Sequence, residues 1–339
     1  MPLTSGHGGV MDKLCSVQSK LCCLFEIAVT NEPSSKRANQ LYMVSATDQL
    51  RPDAKEHNLE TALLTEKVDG TCAYIAEFKD RPWLWARHDR KPKKFAEKEF
   101  RKFQNEQLDK DATFQWNFEQ DFKPLPDHWI PATGVEVKDG IVYPDKNGHT
   151  PGWVPIDVNS KQYCWHLESV NLKQGTALLL KETENTELKI CLVPLKDILN
   201  HTAELIGTSV NGNPYGLGSK KFPFHILVVH GSIKVSYTSE MKRENFLSWM
   251  KSDPNGAVEG IVWHCDDGAL FKLHRFHLCT SLPWPLPKPA LSNLRPVSID
   301  LNVDLLDESD RENNMLNRLL EYNGHTFSSL IEMNTALFT

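Results

Sequence analysis

The chain alternates between short apolar runs and polar, proline-bearing joins. Thr71-Cys72-Ala73-Tyr74-Ile75-Ala76-Glu77-Phe78 is rich in aromatic and β-branched residues and predicts a strand. Lys79-Asp80-Arg81-Pro82 is turn material, and Trp83-Leu84-Trp85-Ala86-Arg87 predicts the returning strand. Pro92 suits a first helical turn, with Phe95, Phe100 and Phe103 as an apolar stripe. Residues 105–165 hold Pro124, Pro126, Pro131, Pro144, Pro151 and Pro155 among Trp116, Trp129, Trp153 and Trp165. Aromatics at that density predict a packed irregular insertion, with the tryptophans in core packing. Short helices are expected over Leu195–Leu199, after Pro194, and over Ser239–Met250, capped by Ser239 and burying Phe246, Leu247 and Met250.

The last 67 residues, after Lys272, change to helical character. Ser309-Asp310-Arg311-Glu312 is a capping box. Met315, Leu316, Leu319 and Leu320 follow at helical spacing, Gly324 suits the stop, and a second short helix is expected from Thr326.

Val258-Glu259-Gly260-Ile261-Val262-Trp263-His264 and Ala269-Leu270-Phe271-Lys272-Leu273-His274-Arg275 flank Asp266-Asp267-Gly268, a hairpin signal. With a two-residue loop, odd positions face even ones. Glu259, Ile261 and Trp263 then share a face with Lys272, His274 and Phe276. A three-residue loop without a bulge would break this parity. Buried charges need partners or ligands. The plain alternative is a structural Glu259–Lys272 pair.

Composition narrows the class. The chain has 339 residues, 40% apolar and 24% charged, which is globular. No run approaches the roughly 18 apolar residues of a membrane span. Met1-Pro2-Leu3-Thr4-Ser5-Gly6 lacks the basic flank and apolar run of a secretory signal. Residues 1–11 read as a loose tail, and Met11 is an alternative start. Cysteines 15, 22, 23, 72, 164, 191, 265 and 279 form no Cys-x-x-Cys pair, so reduced thiols in the cytoplasm and/or nucleus fit best. Net charge is −6, yet Arg87 to Phe103 carries eight basic residues against three acidic ones. Such a strip suits one short stretch of nucleic acid, although by itself a solvated helix face explains it as well.

The chemistry centres on Thr65-Glu66-Lys67-Val68-Asp69-Gly70-Thr71. A lysine two residues before Asp-Gly is the pattern of enzymes that attach a nucleotide to themselves. About one chain in fifteen of this length would contain it by chance, so its company decides. Glu204 sits among apolar neighbours in Ala203-Glu204-Leu205-Ile206-Gly207, where an exposed edge acid is the plain alternative. Gly216-Leu217-Gly218-Ser219-Lys220-Lys221 lacks phosphate-loop spacing and reads as a flexible basic loop, with contact to RNA as the alternative. His264, Cys265, His274 and His277 are zinc-type residues, but the parity above puts His264 and His274 on opposite faces.

Lys67-Val68-Asp69-Gly70 resembles motif I of the covalent nucleotidyltransferases, the ATP-dependent DNA and RNA ligases and mRNA capping enzymes. Arg87 stands where RNA ligases place an arginine after motif I. Glu204-Leu205-Ile206-Gly207 resembles motif III, Glu259-Gly260-Ile261-Val262 motif IV, and Lys272-Leu273-His274 motif V. Phe222 and Phe224 both stand where motif IIIa puts an aromatic on the nucleobase. The order is right over roughly residues 60–277. Thr65–Tyr74, Trp85–Pro92, Gly148–Pro155, Glu204–Lys221 and Glu259–Cys265 are similar to the animal RNA ligases that join a 5′-phosphate to a 3′-hydroxyl, and the chain is identified as a member of that family. His274 departs from the usual motif V lysine.

The resemblance implies an α+β nucleotidyltransferase (ATP-grasp-like ligase) domain of two antiparallel sheets around an ATP cleft, with flanking helices. It would span residues 12–280, with a small helical C-terminal unit over 281–339. It implies sealing of RNA ends with ATP and Mg2+ or Mn2+, in RNA repair, by a chain with no membrane partner and a monomer as default. Lys67 is implied as the nucleophile, with Glu66 beside the adenine through its backbone. Arg87 is implied on ribose or RNA phosphate, Glu204 on ribose hydroxyls or a hydrated metal, Glu259 on the metal, and Lys272 on the α-phosphate. Phe224 is the candidate base-stacking residue and His274 a phosphate contact. Asp69 positions Lys67 or the metal, and Gly70 permits a backbone turn. A free lysine is mostly ammonium at neutral pH, so burial and a nearby cation, Lys272, are expected to favour its neutral form. The rival readings are a DNA ligase or capping guanylyltransferase, and a non-catalytic RNA-binding or sensing protein on the same scaffold. The former usually carry a β-barrel after motif V, for which the helical last 67 residues leave little room.

Overall fold

The computed structural model describes residues 16–32, 42–106, 113–279, 282–306 and 314–338. The expected tail over residues 1–11 and the capping box Ser309–Glu312 lie outside them. Near the N-terminus come strands β1 (Cys22–Cys23), β2 (Phe25–Thr30) and β3 (Met43–Leu50), of which β2 and β3 form a separate ribbon. Next are β4 (Leu63–Glu66), β5 (Thr71–Phe78) and β6 (Arg81–Arg87). The β5–β6 hairpin is tighter than the sequence predicts. Phe78 pairs with Arg81, and Lys79 and Asp80 alone turn the chain, at φ +52° and +61°. Positive φ at both central residues matches the twist of the flanking strands.

Helix α1 (Lys94–Glu106) starts two residues after Pro92, which bridges to Phe122 instead of opening the helix. Its inward face is Ala96, Phe100 and Phe103, at spacings of four and three. Phe95 lies one residue off that stripe and is 52% exposed. The insertion packs on this face, with Phe100 against Trp116 at 4.9 Å and Trp116 against Phe122 at 5.0 Å. It contains β7 (Ile130–Pro131), β8 (Val137–Lys138), β9 (Ile141–Val142) and β10 (Gly152–Pro155), and β10 pairs with β6.

The middle of the chain supplies α2 (Cys164–Glu168), β11 (Val170–Asn171), β12 (Thr176–Glu182), β13 (Leu188–Pro194), β14 (Thr202–Gly207) and β15 (His225–Val229). A 3-10 turn at Leu195–Ile198 follows Pro194. Helix α3 (Arg243–Ser252) begins later than expected. Lys242 occupies its N-cap, Ser239 does not cap it, and Trp249 joins Phe246 and Met250 in burial while Leu247 is half-buried. Then come β16 (Gly260–His264), β17 (Leu270–His274), α4 (Arg275–Leu278), α5 (Ala290–Asn293), β18 (Val297–Ile299), α6 (Asn314–Glu321), β19 (Thr326–Phe327) and α7 (Leu330–Phe338). Gly324, at φ +84°, follows α6 as its spacing predicts.

The fold is mixed α+β. A four-stranded sheet runs β1-β17-β16-β4, and an eleven-stranded one runs β19-β18-β13-β12-β15-β14-β5-β6-β10-β7 with β11 beside β12. The sheets are not wholly antiparallel. β1 with β17, β12 with β15 and β13 with β18 are parallel, each joining strands that are distant in the chain. The C-terminal stretch holds α5, α6 and α7, and it also adds β18 and β19 to the large sheet. Its Leu316, Leu319, Leu330, Met333 and Leu337 share one core with Leu180, Ile190, Ile206 and Ile226. The odd-numbered residues Ile261, Trp263, Phe271 and Leu273 of the small sheet pack into a second core with Phe246 and Met250 of α3. Among the described residues, no helix is long and apolar enough to cross a membrane.

Candidate active site

The two sheets meet along a cavity of about 280 Å³. The small sheet and its edges contribute Thr65, Glu66, Lys67, Val262, His264 and Lys272. The large sheet contributes Cys72, Arg87 and Glu204, with His230 just beyond it. Residues 17 and 19–21 line the same space.

Lys67 follows β4, and its backbone N–H donates to Gly260 O at 2.9 Å, continuing the pairing with β16. Its Nζ donates to Glu259 Oε2. Burial pulls the Lys67 pKa down, but Glu259, with Glu204 and Asp69, outweighs it and the net shift is upward. The resting lysine is therefore charged, which corrects the expectation of a neutral amine. The pressure from a neighbouring cation falls on Lys272, whose pKa is lowered by burial and by Lys67.

Glu259 does not meet its partners as the hairpin parity predicts. The loop has three residues, Val262 pairs with Lys272, and Gly260 pairs with His274. Even positions thus face even ones, and His264 and His274 lie on the same face, at opposite ends of the hairpin. Glu259 stands just before β16, where Arg275 N–H donates to its carbonyl. From there its Oε1 reaches His274 Nε2 at 2.7 Å. His274 Nδ1 accepts from Phe276 N–H at 3.0 Å, which puts a proton on Nε2, facing Glu259. Burial pushes the Glu259 carboxyl up, but the hydrogen bond from His274 and the charge of Lys67 leave it lowered. His274 is buried and supports Glu259 without lining the cavity.

Glu66 is 6% exposed, and burial raises its pKa to about 8. Its Oε1 has no partner among the described residues. Asp69 does not line the cavity. Its Oδ1 accepts from Asn211 Nδ2 at 2.8 Å and its Oδ2 from Trp284 Nε1 at 2.7 Å, while its N–H donates to the Tyr215 hydroxyl. These contacts tie the lysine loop to the rest of the fold. Gly70 is needed for a close approach, not for a turn: a Cβ there would lie 2.2 Å from Leu205 O. Its N–H donates to Glu204 Oε1 at 3.1 Å, and Glu204 Oε2 lies 2.9 Å from His230 Nε2. Arg87 donates to Asp89 Oδ1 and to Gln18 O, both at 2.6 Å, and lies over the Trp153 ring.

The family model for RNA ligase 1 matches residues 11–336. The chain belongs to the RNA ligase 1 family. Membership makes it a ligase. RNA ligase 1 of Pongo abelii is 46% identical over 322 residues, covering 94% of this chain and 98% of the relative. RNA ligase 1 of Mus musculus is 49% identical over 297 residues, covering 87% and 90%. RNA ligase 1 of Danio rerio is 45% identical over 322 residues.

In this RNA ligase 1 family member, Phe224 does not reach the cavity, which corrects its candidacy for stacking on a base. It is 1% exposed and packs on Phe338 of α7. Phe222 lies under the Arg318 guanidinium, also away from the cavity. Residues 216–221 are not a loose basic loop throughout. Leu217 is fully buried, and Gly218 N–H donates to Asn334 Oδ1 at 2.6 Å, so that amide is unavailable to a phosphate. Sequence reasoning missed Cys72, Asp89 and His230. Cys72 was within reach, because it lies opposite Glu204 once β5 and β14 are paired. Nothing local in the sequence marks residues 17–21 as part of the site. For a hard divalent ion such as Mg2+ or Mn2+, Glu204 offers a carboxylate oxygen at the cavity, and Glu259 stands behind the cavity-lining Lys67; carboxylates are a donor type that fits.

Proposed function

We propose that this chain seals RNA 5′-phosphate and 3′-hydroxyl ends with ATP, through a lysyl-AMP on Lys67 and an adenylylated RNA. This reading assigns the two facing sheets to the nucleotidyltransferase fold and the activity to RNA repair. The observation that carries it is Lys67 projecting between the sheets, paired with Glu259, in a cavity that also holds Glu66, Arg87, Glu204 and Lys272. The names of its relatives point the same way.

Lys67 Nζ would attack the α-phosphorus of ATP, forming a P–N bond as the bond to pyrophosphate breaks. This requires loss of the proton that Nζ shares with Glu259. Lys272, half-buried and facing the cavity, would bind the α-phosphate. Glu66 would face the base, and Arg87 and Glu204 the ribose or the RNA phosphate. Asp69 and Gly70 would fix the loop, and His274 would hold Glu259 in place. A divalent ion at Glu259 would offset charge on the α-phosphate and the leaving pyrophosphate. An RNA 5′-phosphate would then take AMP from Lys67 in a 5′–5′ linkage. A 3′-hydroxyl would attack that end and release AMP.

Labelled ATP with Mg2+ or Mn2+ should leave an adduct that survives denaturing gels in the wild type and is absent in Lys67→Ala. Transfer of GMP would favour a capping enzyme, sealing of nicked DNA in preference to RNA a DNA ligase, and absence of any adduct a binding protein.

A further inference from the structure

We propose that Cys72, Glu204 and His230 form a binding site for zinc or a similarly thiophilic divalent ion, and that the bound ion closes the nucleotide cavity. The second half rests on the function proposed above; the first does not.

The three residues come from one face of the large sheet. Glu204 lies directly opposite Cys72 across β14 and β5. His230 follows β15 and pairs with Thr202, two residues from Glu204, through an N–H···O bond of 3.0 Å. One sulfur, one oxygen and one nitrogen donor lie within 4.8 Å of one another, the only such group among the described residues. Three protein ligands with an open side toward a cavity is an arrangement that zinc accepts. Mg2+ prefers oxygen ligands alone, so the thiol suits this group to a softer ion, which would compete with Mg2+ for Glu204.

The donors are already oriented. Glu204 Oε1 is held by Gly70 N–H at 3.1 Å, leaving Oε2 toward His230. His230 Nδ1 lies 2.8 Å from Thr202 Oγ1, which also accepts Val17 N–H at 2.7 Å. An ion between Nε2 and Oε2 would move the imidazole proton to Nδ1, where Thr202 Oγ1 has a lone pair to accept it. The imidazole would bind in its neutral form, and the thiol proton would leave to solvent as the sulfur binds. Lys67 and Arg87, the nearby cations, are paired with Glu259 and Asp89 and so oppose an incoming ion less.

The probe is Co2+, titrated into reduced, metal-free full-length protein. The wild type should show a thiolate-to-cobalt charge-transfer band that saturates near one equivalent and that excess Zn2+ removes. Cys72→Ser should lose the band, and His230→Gln should weaken binding by about 100-fold. No band in the wild type, or an unchanged band in Cys72→Ser, overturns the site. Zn2+ should also block lysyl-AMP formation in the wild type, with recovery on chelation, and Cys72→Ser should need far more Zn2+ for the same block. Zinc that binds without slowing the adduct overturns the inhibitory half. A wild type that forms no adduct in zinc-free buffer overturns the ATP reading and the inhibitory half with it, and the cobalt spectra still decide the site.

Discussion

At Gly70 one methyl group would change the site. The Cβ of an alanine would meet Leu205 O at 2.2 Å and Glu204 Cγ at 2.9 Å, so β5 and β14 would have to separate. Gly70→Ala should cost about 2–3 kcal/mol in urea unfolding and should slow adduct formation, because its N–H no longer fixes Glu204. Glu66 makes a different prediction. Its carboxyl is protonated in the folded protein up to about pH 8 and ionised in the unfolded chain above the ordinary carboxyl value of 4.5. The folded state binds more protons across that window, so stability falls as pH rises through it. Glu66→Gln should remove this loss, raising stability relative to wild type by up to about 3 kcal/mol at pH 7 and by little at pH 4; thermal melts at both pH values check it. As the proposed nucleophile, Lys67 would have to lose a proton to act, and its pKa is raised, so the adduct rate should climb with pH through neutrality and beyond. Glu259→Gln removes the charge that holds the proton. It should move the profile to lower pH while slowing the maximal rate by about 10²-fold or more.

At the scale of elements, turns decided what the sequence could reveal. Strands β5, β6, β14, β16 and β17 carry their apolar patterns openly, and their presence is legible. The loop between β16 and β17 is not. Three residues in place of two reverse the parity, and Glu259 reaches Lys67 and His274 from a strand end rather than from a shared face. Lys67, Arg87, Glu204 and Lys272 line one cavity, whereas Asp69 turns away from it. Phe224 misled because the helix Leu330–Phe338, far along the chain, covers it, and no local pattern announces such a contact. The β5–β6 turn invites a test. Lys79 and Asp80 both adopt a conformation that favours glycine and asparagine. Replacing the pair with Asn-Gly should raise stability by about 0.5–1 kcal/mol, read as a higher urea midpoint, with the adduct rate unchanged.

For the whole molecule, the C-terminal segment is structural to the sheet that carries the site. Removing residues from 314 onward would strip Leu316, Leu319, Phe327, Leu330, Met333 and Leu337 from the core. Each buried side chain of this kind contributes about 1.5–3 kcal/mol, and together they are comparable to the whole margin of roughly 5–15 kcal/mol that separates a folded domain from its unfolded chain. The truncated chain should lose its cooperative thermal transition. Helical propensity near the end of the chain was legible, but its docking depends on long-range contacts that periodicity cannot supply. The Trp284–Asp69 bond spans 215 residues, and that separation has a consequence in time. During synthesis Lys67 leaves the ribosome long before the tryptophan that steadies its loop exists. If Lys67 takes up AMP as proposed, a nascent chain should be unable to charge itself until those later residues have emerged, so that the adduct would report a chain made at least through Trp284.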